Sequence, residues 1–136
     1  IPRVTAEISI DACTKETYDE IRLGGNWDIL QENLHFIFTK IPNLDFVRMT
    51  FVVQDNNYKE MKGFVEMSDY FQKLNGMKTE VNFIHINNWG TFSDLVWRIK
   101  NINSEEHPNY KDFRSEVDKV NSLREHYNNL EIFTNI

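Results

Sequence analysis

Phe46-Val47-Arg48-Met49-Thr50-Phe51-Val52-Val53 is a nearly continuous apolar run rich in β-branched and aromatic residues. That content marks a strand. Near-continuous apolarity is the pattern of a strand covered on both faces, as in a parallel sheet. Upstream, Thr5 to Ile10 alternates, with Ala6, Ile8 and Ile10 on one side and Thr5, Glu7 and Ser9 on the other. In a parallel strand with helices packed outside, the side carrying Glu7, Ser9 and Asp11 would face a barrel interior. Downstream, Glu80 to Ile86 and Leu130 to Thr134 read as two further strands.

Helical patterns separate these strands. Thr14 caps a short helix running to about Arg22, and Gly24-Gly25 ends it. Asn26 caps a second helix whose apolar stripe is Trp27, Leu30, Leu34, Ile37 and Ile41, stopped by Pro42. Asn57 with Glu60 has the spacing of a capping box and opens a third helix. Its stripe is Met61, Phe64, Val65, Phe71 and Leu74. Residues 91–108 are polar, with a helical turn expected around Leu95 to Ile99. A last helix spans Asn109 to about Tyr127 with Tyr110, Phe113, Val117, Val120 and Leu123 on one face. Strands alternating with helices imply right-handed crossovers and a parallel sheet. The expected fold is α/β: one domain over residues 1–136, a partial (β/α) barrel of about four mainly parallel strands.

Composition bounds the function. With 136 residues, ten of them Phe, the chain can bury a core. A formal net charge of −6 and the lack of any basic run argue against nucleic acid as a partner. No apolar stretch approaches the roughly 20 residues of a membrane span. The single cysteine, Cys13, cannot form an intramolecular disulfide, which points to a reducing, cytoplasmic setting. One cysteine also cannot hold an iron–sulfur cluster by itself. The chain begins with Ile rather than Met, as expected of a processed or excised piece.

Sites in parallel α/β folds collect at the carboxyl ends of strands. Polar residues concentrate at three such ends. At the first, Glu7, Ser9 and Asp11 with Arg22 beyond the short helix could hold ribose hydroxyls or an ammonium, and Arg22 could pair bidentately with a carboxylate. Equally, Asp11 could cap the next turn and Arg22 could be a solvated helix-end charge. At the second, Asn57 reads as a helix cap, which is compatible with contact to an anionic group. At the third, His85 precedes Asn87, Asn88 and Trp89; alternation puts it with Val81 and Phe83, toward the outer helices. Cys13 has no evident histidine partner and reads as structural. Glu7, Asp11 and His85 would be the residues of an unrelated hydrolase or transferase.

The run Glu7-Ile8-Ser9-Ile10-Asp11-Ala12, followed by Thr14-Lys15-Glu16-Thr17-Tyr18, Ile21-Arg22 and Gly24-Gly25-Asn26-Trp27-Asp28, resembles the middle of radical S-adenosylmethionine enzymes. The similarity is to the subgroup that often carries a SPASM-type extension. Thr50-Phe51-Val52-Val53-Gln54 with Asn57-Tyr58 and Glu60-Met61, then Asn87-Asn88-Trp89-Gly90-Thr91, continue it in order. The resemblance implies the second half of a partial (β/α)₆ barrel, with residues 91–136 including a family-specific extension. It implies that Ser9 and Asp11 lie near the ribose and methionine moieties of S-adenosylmethionine, that Arg22 pairs with the methionine carboxylate, and that Asn57 lines the adenosine or substrate side. The family's three-cysteine motif is absent, so a [4Fe–4S] cluster would exist only in a longer parent. The expected partner is then the missing N-terminal half of the barrel, and the piece alone is expected to be inactive. The alternative is a small non-catalytic module that self-associates through open sheet edges.

Overall fold

The computed structural model describes residues 2–136. Four strands form one sheet: β1 (Val4–Ser9), β2 (Leu44–Val53), β3 (Thr79–His85) and β4 (Leu130–Asn135). Spatial order follows chain order, and every neighbouring pair is parallel. Between the strands run α1 (Lys15–Ile21) and α2 (Trp27–Lys40), then α3 (Met61–Lys73), then α4 (Asp94–Lys100) and α5 (Tyr110–Leu123). The α/β alternation and the parallel sheet expected from the sequence are both present.

Consecutive parallel strands joined by crossovers of one hand place their helices on one face of the sheet. The burial pattern agrees. Val47, Met49, Phe51 and Val53 of β2, with Val81 and Phe83 of β3, are buried beside α3 residues Met61, Phe64 and Val65 in one core. Phe51 meets Phe64 and Phe83 with ring centroids 5.0 and 5.3 Å apart, which fixes α3 over the centre of the sheet. Phe38 of α2 stacks on Phe71 of α3 at 5.6 Å.

The opposite face differs from the sequence expectation. Full burial of β2 on both sides does not occur: the other side of its run is Phe46, Arg48, Thr50 and Val52, only partly buried except at Thr50, and its polar members are Arg48 and Thr50. They continue the polar side of β1. In register, Glu7 pairs with Arg48 and Arg48 with Glu80, while Ser9 pairs with Thr50 and Thr50 with Asn82. The stripe of α3 also ends earlier than its spacing suggests, since Leu74 is exposed and Gly76 (φ 72°) turns the chain. In α2 the fully buried residues are Leu34 and Phe38.

The polar segment 101–109 is pinned under the carboxyl ends of β2 and β3. Asn103 bonds His85 Nδ1 at 2.9 Å. His107 Nε2 donates to the Ile99 carbonyl at 2.8 Å, and Asn109 N–H donates to its Nδ1 at 3.1 Å. Ile102 is buried in the core. Among the described residues no helix is long and apolar enough to cross a membrane.

Candidate functional site

The chain leaves β1 through Asp11, whose φ of 69° puts a non-glycine residue in the left-handed region. Aspartate tolerates this conformation better than most residues. The turn aims its carboxylate back across the end of the sheet. There Asp11 Oδ1 accepts the Val52 N–H at 2.8 Å and Oδ2 meets Arg22 Nη2 at 2.6 Å. Arg22 Nη2 also donates to Ser9 Oγ at 2.7 Å. Ser9, Asp11 and Arg22, separate in sequence, are therefore one hydrogen-bonded cluster at the carboxyl end of β1. Asp11 is only 4% exposed. Burial raises its carboxyl above the ordinary 3.8, outweighing the lowering by the Val52 N–H and by Arg22.

Arg22 stands just past α1, and its backbone N–H closes the last turn on the Tyr18 carbonyl. Gly25 follows because a Cβ there would lie 2.9 Å from the Arg22 carbonyl. Among the described residues, Nη2 alone of the guanidinium is bonded. Nε is buried without a partner.

Asn57 belongs to the same corner, through its backbone partners. Its Nδ2 donates to the carbonyls of Asp11 (3.0 Å) and Val52 (2.8 Å), and its Oδ1 accepts the Gln54 N–H (2.8 Å). The carboxamide staples the β1 and β2 ends together. The capping box expected of Asn57 and Glu60 is not formed. Asn57 makes no side-chain cap, and Glu60 instead reaches the start of α1. It accepts from Cys13 N–H at 2.7 Å, from the Thr14 N–H and hydroxyl, and from the Thr17 hydroxyl. An acid at a helix start is favoured by the unpaired N–H groups there. Glu60 therefore fixes the β1–α1 loop.

Several residues of the uncovered face escaped the sequence reading. Arg48 Nε donates to Glu80 at 3.0 Å, with Glu7 at 3.7 Å on its other side. Asn135 Nδ2 donates to Asn82 Oδ1 at 3.1 Å. Thr50, 5% exposed, has a buried hydroxyl without a partner. The signal was available in the two polar residues that punctuate the β2 run with a spacing of two.

His85 sits on the helix side of β3 and bonds Asn103, whereas Glu7 is on the uncovered face beside Arg48. Glu7, Asp11 and His85 do not form one site. Cys13 packs against Gly63, and its thiol is pushed up to about 12, first by burial and then by Glu60. A thiol so placed stays protonated at neutral pH and is a poor nucleophile or ligand. Among the described residues no group of three or more His, Cys, Asp or Glu side chains is arranged to hold a metal ion.

No family model, no curated protein and no solved structure matches this chain.

Proposed function

We propose that the chain is part of the wall of a radical S-adenosylmethionine barrel and carries the portion of the pocket that takes the methionine end of that cofactor. The observation that carries the reading is the cluster at the carboxyl end of β1. Ser9 and Asp11 hold Arg22 by Nη2, and among the described residues no hydrogen bond uses Nη1. An arginine anchored through one nitrogen can offer another to a ligand carboxylate. Ser9 also lies on the polar, uncovered face, where a barrel interior would be. Asn57 acts at one remove: its carboxamide is spent on backbone groups, so it positions Asp11 rather than touching the ligand.

The chain's own residues would bind and orient the cofactor. The [4Fe–4S] cluster, which supplies the electron for reductive cleavage in such enzymes, does not fit here. Cys13 is the single thiol and is half-buried against Gly63. The cluster and the remaining barrel strands would come from the other half of the barrel, in a cytoplasmic protein.

Calorimetric titration with S-adenosylmethionine tests this. Saturable binding that Arg22→Ala weakens at least tenfold is expected, in line with the loss of a charge-assisted bond. No binding, or equal binding by the variant, refutes the assignment.

A second reading rests on the free outer edges of β1 and β4, since the sheet order leaves both unpaired. Exposed edges favour pairing with another strand. In that reading two copies join edge to edge as a non-catalytic assembly module. Analytical ultracentrifugation separates the two: a monomer at every concentration removes the module reading.

A further inference from the structure

The same polar face holds a second constellation, which spans β2, β3 and β4 and does not include Arg22. A cleft of about 330 Å³ is lined by Arg48 of β2, Glu80 and Asn82 of β3, and Phe133 and Asn135 of β4. We infer that this cleft binds a small zwitterion, a free α-amino acid.

The argument is one of charge and hydrogen-bond complementarity. Arg48 and Glu80 stand side by side with opposite charges, joined only through Arg48 Nε and Glu80 Oε2. Arg48 Nη1 also lies 3.7 Å from Glu7 Oε2, so two carboxylates flank the guanidinium, and among the described residues no side-chain hydrogen bond uses Glu80 Oε1. The two asparagines repeat the pairing in neutral form. Asn135 donates to Asn82 Oδ1, so Asn82 Nδ2 remains as a donor and Asn135 Oδ1 as an acceptor. Donors for a carboxylate (Arg48, Asn82) and acceptors for an ammonium (Glu80, Asn135) therefore line one cleft. An α-amino acid presents those two groups on one carbon. Phe133 is 39% exposed on the same face and offers a ring for an apolar side chain. The volume suits a free amino acid and lies at the small end of the range for ligand sites. A simple anion would face Glu80 and Glu7 with no ammonium to offset them, whereas a zwitterion brings one.

The inference does not depend on S-adenosylmethionine binding, because Arg22 takes no part in the cleft. Its test is a titration of the ¹⁵N-labelled chain with L-phenylalanine, read by ¹H–¹⁵N correlation spectra. N-acetyl-L-phenylalaninamide, which lacks both charges, is the control. Saturable shifts at Asn82, Phe133 and Asn135 are expected with the free amino acid and not with the capped one. Glu80→Gln and, separately, the edge-strand variant Asn135→Ala should each weaken binding, the first at least tenfold. Arg22→Ala should leave it unchanged. No saturable shift up to about 10 mM, well past weak affinity, overturns the inference. So does an equal response to the capped compound. Loss of binding in Arg22→Ala with retention in Glu80→Gln would place the amino acid in the methionine pocket instead, and also overturns it.

Discussion

The two faces of the sheet use the same strands and opposite chemistry. On the helix side, Val47, Met49, Phe51, Val81 and Phe83 are fully buried, and Phe51, Phe64 and Phe83 interlock. On the other side, the same two strands present Arg48, Thr50, Glu80 and Asn82. The first face excludes water and gains dispersion and transfer free energy. The second pairs charges and leaves hydrogen-bonding capacity unspent. Stability and binding capacity are thus divided between alternate residues of one strand. The β2 run conceals the division, because its two polar residues stand singly among six apolar ones.

The largest effect should come from the centre of the aromatic contact. Phe51→Ala removes a ring that touches both Phe64 and Phe83, and a loss of about 3–5 kcal/mol is expected. Asn82→Ala, on the same sheet but the other face, should cost less than about 1 kcal/mol, since its one side-chain bond is to exposed Asn135. Urea unfolding of both variants decides. Equal losses would mean that the uncovered face is part of the core.

Asn57 tests the corner where the faces meet. Its carboxamide satisfies two carbonyls and one N–H. Asn57→Ala leaves buried backbone groups unpaired, and roughly 2–3 kcal/mol should be lost. The Gln54 amide should then exchange faster with solvent than in the parent. If Gln54 protection is unchanged, the staple is not what holds the β2 end.

A smaller effect is expected where α3 meets the β1–α1 loop. Glycine within a helix costs about 1 kcal/mol relative to alanine, so Gly63 needs a reason. A Cβ at position 63 would lie 2.5 Å from the Cys13 sulfur and 3.7 Å from its Cβ. Gly63→Ala should therefore destabilise by about 1–2 kcal/mol through overpacking. Adding Cys13→Ala removes the sulfur and should recover most of the loss. A double variant no better than the single one would show that Cys13 is not the obstacle.

The strand and helix order was legible because each element carries its own period and its own stops. Ala6, Ile8 and Ile10 alternate, Asn26 caps α2 through Ile29 N–H as its position before Trp27 suggests, and Gly76 ends α3. Strand-end position picked out Ser9 and Asp11, whereas Arg22, past α1, read equally as a solvated helix-end charge until the fold brought it to Asp11. Other features depend on distant partners. Glu60 looks like half of a capping box until the β1–α1 loop arrives with four donors. The 101–109 segment has no period because it is held by His107 and Asn103 rather than by a helix. Arg48 and Thr50 were hidden by the apolar residues around them, and their meaning appears only when β1 and β3 supply Ser9, Glu80 and Asn82 in register.

The smallest expected effect is also the one of opposite sign. Thr50 lies on the polar face, yet its hydroxyl is buried and bonds nothing. A buried, unpaired hydroxyl costs free energy that a methyl group of similar shape does not. Thr50→Val should therefore raise stability by about 1 kcal/mol, read as a higher urea midpoint at unchanged slope. The helix face offers no such gain, because its alternate positions are already apolar. If Thr50→Val instead lowers stability, the hydroxyl has a partner in solution, and a water held between Ser9, Thr50 and Asn82 would be the first candidate. The sign of this one change distinguishes a face that merely lacks cover from a face that keeps polar groups in readiness for something bound.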